Sequence, residues 1–201
     1  MNYDQEMIKQ MEKIPEGTKL LLHACCAPCS SAVLERIANH FAVTIFYFNP
    51  NITEEEEYYK RVIEIQKLIG MIHPKYPVTL QEGRYEPKEF FEMAKGLEQE
   101  PERGKRCYKC YELRLEETAK IAEELHFPYF CTTLTLSPHK RSDWINEIGE
   151  KLDQKYNATY LYSDFKKREG YKRSIELSKE YNLYRQDYCG CIFSIRDKES
   201  E

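Results

Sequence analysis

Short apolar runs alternate with amphipathic stretches along this chain, and that alternation restricts the fold more than any other feature. Residues 19–24 (KLLLHA), 42–48 (AVTIFYF) and 129–135 (YFCTTLT) have the length and apolar content of buried strands, and 77–81 reads as a further strand. Between them apolar residues recur at three- and four-residue steps. Ala32, Val33, Ile37 and Ala38 predict a helix entered at Pro28, and Tyr58, Val62, Ile65 and Ile69 predict a second one ending at Gly70. Tyr111, Leu115, Ala119, Ala122 and Leu125 predict one long helix over 107–126. Shorter helices are expected at 87–95, 143–156 and 171–184. Strands separated by helices close through right-handed crossovers, so the expected fold class is α/β, a mainly parallel sheet flanked by helices in a Rossmann-like arrangement. With 201 residues the chain fits one domain: an N-terminal helix or arm over 1–18, a core over 19–162, and a C-terminal segment over 163–201 returning to the site. Ligands of such sheets bind beyond the strands' carboxyl ends.

Composition narrows the function classes. A hydrophobic fraction of 41% with 32% charged residues describes a folded protein rather than a disordered one. The first 13 residues are polar and acidic, and no apolar run approaches membrane length, so neither a secretory signal nor a membrane partner is expected and a cytoplasmic location is. Thr53 and Glu56 have capping-box spacing, and the acidic run 54–57 suits the positive end of a helix dipole, so that run needs no functional explanation. A net charge of −4 argues against a uniformly basic nucleic-acid surface. Lys166, Lys167, Arg168, Lys172 and Arg173 nevertheless put five cations in eight positions around Tyr171. They read either as a solvated helix end or as a phosphate-binding patch with a stacking ring.

Cysteines carry the chemistry. Seven of the eight fall into three groups: Cys25-Cys26-x-x-Cys29 at a strand's carboxyl end, Cys107-x-x-Cys110 at the start of the long helix, and Cys189-Gly190-Cys191 near the end. Cys131, alone in its strand, reads as a small core residue. With no secretory signal expected, a reducing compartment is expected too, which favours metal or redox chemistry over a disulfide scaffold. A zinc site on Cys26, Cys29, Cys107 and Cys110 would leave Cys25, Cys189 and Cys191 idle. A dithiol oxidoreductase would need only one exchanging pair, such as Cys189 and Cys191. An iron–sulfur cluster on four cysteines, with the other three as a second redox or metal unit, uses all seven, and the helix amino ends near Cys29 and Cys107 suit an anionic centre.

Several longer motifs resemble one family. Cys25-Cys26-Ala27-Pro28-Cys29 follows a strand; Tyr47-Phe48-Asn49-Pro50-Asn51-Ile52 ends the next; then come Arg106-Cys107-Tyr108-Lys109-Cys110-Tyr111, Thr132-Thr133-Leu134 before Ser137-Pro138, and Gln186-Asp187-Tyr188-Cys189-Gly190-Cys191. In this order they resemble the QueH family of epoxyqueuosine reductases over about residues 19–194. The resemblance implies reduction of epoxyqueuosine to queuosine at the wobble position of tRNA, a fold like the adenine-nucleotide hydrolases, and a [4Fe-4S] cluster without cobalamin. It implies cluster ligands at Cys25, Cys26, Cys107 and Cys110. It further implies a redox-active pair, or ligands of a second mononuclear iron, at Cys189 and Cys191, with Cys29 as a possible added ligand. No glycine-rich phosphate loop is present, so no ATP is expected. Tyr188, Asp187 and His23 are candidate proton donors, with a core hydrogen-bonding role as the alternative for His23. Asn49, Asn51, Ser137 and Lys140 lie at strand ends where they could meet the modified base or ribose; turn-forming roles are the alternative for the asparagines and the serine. The partners expected are the tRNA anticodon loop and an external electron donor. The rival readings are a zinc-stabilised RNA-binding module without catalysis and a cytosolic thiol oxidoreductase.

Overall fold

A computed structural model describes residues 1–199 of the chain, with side chains through residue 195, so positions 200 and 201 of the expected C-terminal segment lie outside the described residues. Five strands, β1 (Thr18–His23), β2 (Phe41–Tyr47), β3 (Val78–Glu82), β4 (Tyr129–Thr132) and β5 (Thr159–Tyr160), form one sheet in the order β3-β2-β1-β4-β5. Every pairing is parallel. The helices are α1 (Tyr3–Met11), α2 (Ala27–Ile37), α3 (Glu55–Met71), α4 (Pro87–Ala94), α5 (Lys105–Glu124), α6 (Ser142–Asp153), α7 (Gly170–Glu180) and α8 (Ile192–Glu199). The α/β sheet read from the sequence is therefore present, with β5 and α8 as elements the periodicity did not reveal.

Alternation along the strands builds two cores. Leu20 and Leu22 of β1 with Val43 and Ile45 of β2 face α2, α3 and Leu177 of α7. Leu21, Phe46 and Phe130 face the other way, onto Leu115 and Ala119 of α5 and Ile145 and Ile148 of α6. This sheet is covered on both faces, which is why its central strands are almost wholly apolar.

Two local expectations are corrected. The Thr53–Glu56 capping box does not form: the helix cap is Glu54, without a side-chain cap bond, and the Thr53 hydroxyl is buried without a partner. The 129–135 run is not one strand. β4 stops at Thr132, whose hydroxyl accepts from the Leu134 amide and starts a 3₁₀ turn over Thr133–Leu136. A threonine hydroxyl competing for the backbone ends the ladder early, which no periodicity signals.

The order of the strands fixes the site. The chain runs outward from β1 through β2 to β3, then α4 and α5 carry it back across to β4 on the far side of β1. The carboxyl ends of β1 and β4 thus flank the topological switch point, where parallel sheets leave a crevice. Among the described residues no helix is long and apolar enough to cross a membrane.

The N-terminal helix is fastened by charge. Asp4, buried in α1, accepts from Arg36 of α2 at 2.5 Å and from Arg168 at 3.0 Å. Burial works to raise its pKa, but the two guanidinium partners outweigh burial and hold it below the usual carboxylate range. A carboxyl with a lower pKa in the native than in the unfolded chain contributes stability above about pH 4 and loses it as the pH falls further. Asp4→Ala is expected to cost about 2–3 kcal/mol, a drop of roughly 4–10 °C in the melting temperature at pH 7, measured by thermal unfolding.

Candidate metal centre and substrate cavity

Local structure delivers the first three thiols. Cys26 is the N-cap of α2 in extended conformation and Pro28 occupies its first turn, so Cys25, Cys26 and Cys29 crowd the helix amino end directly after β1. The neighbouring Cys26 and Cys29 thiols stabilise a thiolate at Cys25 and lower its pKa well below the ordinary thiol range, and Cys25 in turn pushes Cys26 up to about 12. Thiols crowded at a helix N-terminus are soft donors whose anionic form the helix end favours.

The second pair lies on α5. Cys107 is in its first turn and accepts from the Arg103 amide at 3.3 Å, while Cys110 stands one turn further on and is buried. Burial raises the pKa of both thiols, Cys110 to about 12.

The chain's end returns to them. Cys107, Cys110, Cys189 and Cys191 line one small cavity of about 20 Å³ together with Asn51, Arg114 and Lys140. A second, open cavity of about 370 Å³ lies against it, with Cys25, Cys29 and Cys189 in its wall beside Ser137, His139, Lys140, Tyr171, Arg185, Gln186, Asp187 and Tyr188. Cys189 and Lys140 border both. All seven grouped cysteines therefore gather at the switch point, and Cys131 is buried under the sheet, near Ser163. All eight are free thiols. Among the described residues no three His, Cys, Asp or Glu side chains enclose a common metal position.

The surrounding charge shows what such a centre would carry. Arg114 is 1% exposed; its guanidinium lies 5.8 Å from the Tyr111 ring centre, its Nε donates to the Cys110 carbonyl at 3.3 Å, and both terminal nitrogens are buried without a hydrogen-bond partner. Burial presses this guanidinium to lose its proton, yet its pKa stands above the ordinary value because thiolates at Cys110, Cys189 and Cys25 would hold the charge. Lys140 behaves alike: burial opposes its charge, and Cys189 and Cys25 restore it. Unpaired buried cations cost several kcal/mol. Burial pushes the Cys110 pKa up to about 12, and with that thiol protonated neither terminal nitrogen of Arg114 has an anionic partner within hydrogen-bond reach. An anionic thiolate-ligated metal group supplies one, so the residues present fit an iron–sulfur cluster.

Other residues singled out in the sequence take definite places. His23 is fully buried, contacting Thr132 Oγ1 at 3.0 Å, the Phe48 carbonyl at 3.1 Å and Asn49 Oδ1 at 3.2 Å. Burial, with Arg114 nearby, lowers its pKa to about 4, so it is a neutral core residue, the alternative weighed for it. The Asn49 amide donates to the Ala24 carbonyl at 2.8 Å, which commits this side chain to holding the end of β1. Asn51 is fully buried with neither amide atom partnered, at the small cavity. Ser137 accepts from the His139 amide at 3.3 Å, a turn role at the cavity's edge. Of the basic group, Arg168 pairs with Asp4, Arg173 with Glu35 at 2.7 Å, Lys172 with Glu169 at 3.5 Å and Lys166 with Asp164 at 3.2 Å, while Lys167 is exposed. Tyr171, in contrast, reaches the larger cavity.

Two buried cations the sequence reading missed line the cavities beside the thiols, Arg61 on α3 and Arg114 on α5. Each falls three residues after a buried tyrosine, Tyr58 or Tyr111, on its helix's core-facing stripe. A charge on an apolar helical face is the signal that could have found them.

Comparison with known proteins points to one family. The family model described as epoxyqueuosine reductase QueH matches residues 20–197. A Staphylococcus epidermidis protein named epoxyqueuosine reductase QueH is 44% identical over 96% of this chain and 84% of its own. The protein of that name from Streptococcus pyogenes is 42% identical over 98% of this chain and 79% of its own, and that from Thermotoga maritima 34% over 90% and 94%. With its thiols gathered at the sheet's switch point and a match spanning nearly its whole length, this chain belongs to the epoxyqueuosine reductase QueH family.

Proposed function

We propose that this chain reduces epoxyqueuosine to queuosine at the wobble position of tRNA, with Cys25, Cys26, Cys107 and Cys110 holding a [4Fe-4S] cluster. Cys189 and Cys191, with Cys29 beside them, act as a redox pair or hold a second iron. The observation that carries this reading is the gathering of thiols from all three groups around buried cations, beside a cavity of about 370 Å³. No cobalamin and no ATP take part.

Epoxide deoxygenation breaks two C–O bonds, forms a C=C bond, and consumes two electrons and two protons to release water. The cluster, when bound, supplies electrons one at a time, and an adjoining iron offers Lewis acidity to the epoxide oxygen. The chain's own residues do the rest. Tyr171 and Tyr188 in the cavity wall serve a flipped nucleoside by stacking, and Ser137 and Lys140, which also line it, serve by polar contact. Burial, then Glu57, raises the Tyr188 pKa, so its hydroxyl stays protonated at neutral pH and is available to protonate the departing oxygen, with Asp187 beside it. Lys166, Lys167, Arg168, Lys172 and Arg173 line the approach for the anticodon loop. Surface pairs such as Arg173–Glu35 are worth only about 0–1 kcal/mol, so backbone phosphates compete for those cations. Electrons come from an external donor.

Anaerobic purification followed by reaction with tRNA carrying epoxyqueuosine tests the proposal. Brown protein holding iron and sulfide, which yields queuosine with an artificial reductant, is the expected result. Colourless protein with one zinc and no conversion contradicts it and favours an RNA-binding module.

A further inference from the structure

The turn that presents Cys189 and Cys191 is held from below by one buried side chain. Arg61, 1% exposed in the second turn of α3, donates from Nη1 to the Cys189 carbonyl at 3.2 Å and from Nη2 to the Tyr188 carbonyl at 3.3 Å, and its guanidinium lies 5.5 Å from the Tyr188 ring centre. The remaining face of the fork is fixed, since Nε donates to Glu57 at 2.7 Å and Glu57 in turn accepts from the Tyr184 hydroxyl at 3.0 Å. Gly190 closes against this assembly. Its φ is +114°, a Cβ there would come within 2.7 Å of Ile52 and 3.4 Å of the Arg61 guanidinium, and its carbonyl accepts from the Thr53 amide at 3.2 Å. Nothing about a salt bridge to Glu57 requires the two carbonyl contacts. They put the fork's two ends on consecutive carbonyls just before the glycine, where the chain must reverse to bring both thiols to the cavities.

We infer that Arg61 is a positioning residue for the reduction: its bidentate hold on the Tyr188 and Cys189 carbonyls aims the Cys189 thiol and the Tyr188 hydroxyl together into the cavity that takes the substrate. The inference rests on the reading that these two residues serve the reduction. A guanidinium is needed, because a lysine ammonium carries the charge but cannot span two carbonyls and a carboxylate in one plane. Earlier in the same tail Lys67 holds the Asn182 carbonyl at 2.6 Å without touching Arg61, whereas Tyr184, whose amide donates to Glu64 at 2.8 Å, is also tied to Arg61 through Glu57. The Lys67 contact serves as a control for general loosening.

The test compares Arg61→Lys, Arg61→Met and Lys67→Ala in anaerobically purified full-length protein. Three quantities are read: iron content, kcat and KM on epoxyqueuosine tRNA, and the rate of Cys189 alkylation by iodoacetamide, resolved by peptide mass spectrometry against Cys131. Arg61→Lys is expected to keep the fold, to lower kcat about tenfold with KM for tRNA nearly unchanged, and to raise the alkylation rate of Cys189 about tenfold. Arg61→Met, where circular dichroism shows it folded, gives the larger change in both, and Lys67→Ala leaves both within about twofold. Faster alkylation with kcat intact supports the positioning and overturns the part given to Cys189 in the reduction. A folded Arg61→Lys protein whose Cys189 reacts at the unsubstituted rate overturns the inference, as does an equal effect from Lys67→Ala.

Discussion

Cys25→Ser and Cys107→Ser, made singly, are expected to lose most of the bound iron and to lower epoxyqueuosine turnover more than about 100-fold each. The two residues come from different groups, one at the amino end of α2 and the other in the first turn of α5, so a shared loss cannot be ascribed to one local disturbance. A serine hydroxyl is nearly isosteric with a thiol, but it is a hard donor that stays protonated, and neither a helix dipole nor the Arg103 amide compensates for that. Cys131→Ser is the matched control. Cys131 is buried in β4 against the opposite core, so its replacement costs stability and leaves iron and turnover within about twofold. Iron assay and mass-spectrometric detection of queuosine read all three variants. Retained colour and turnover in both ligand variants would remove Cys25 and Cys107 from the centre.

Arg114→Met carries the second large effect, and its sign depends on whether the metal group is bound. In metal-free protein the Arg114 terminal nitrogens are buried and unpartnered, so exchanging the cation for an apolar side chain of similar length raises stability by about 1–3 kcal/mol, roughly 2–10 °C in melting temperature. In the iron-loaded protein the same exchange deletes a counter-charge beside Cys110, Cys189 and Cys25, and iron dissociates about 10–100-fold faster on challenge with a chelator. Thermal melts and chelator-release kinetics on the two forms read the reversal. A change of the same sign in both forms, or none, would mean that Arg114 has no anionic neighbour to serve.

Much of this site was legible in the sequence because its parts are local. KLLLHA followed at once by Cys25, and Cys107 followed by the Tyr111–Leu115–Ala119 stripe, place five thiols on element ends by periodicity alone. The parallel sheet follows from the same alternation. What remained hidden depends on contacts between distant segments. The return of the 163–201 segment to the other cysteines was expected, but how it is held was not legible: Arg61 and Glu64 of α3 bond to residues 184–189, and no pattern within the segment carries that information. Asn49 and the basic group were hidden for a like reason. The partners of Asn49, Arg168 and Arg173 are Ala24, Asp4 and Glu35, far away in sequence, so no local pattern announces these contacts. β5, two residues long and paired only to β4, is set by register with its neighbour and has no periodicity of its own.

The most direct test is a crystal structure of anaerobically prepared protein with anomalous scattering recorded on both sides of the iron edge. Iron at the switch point, bonded to sulfur atoms of Cys25, Cys26, Cys107 and Cys110, with Cys189 and Cys191 facing the same cavity, is the predicted result. Anomalous signal only at the zinc edge, or iron bound away from these four cysteines, would contradict the account.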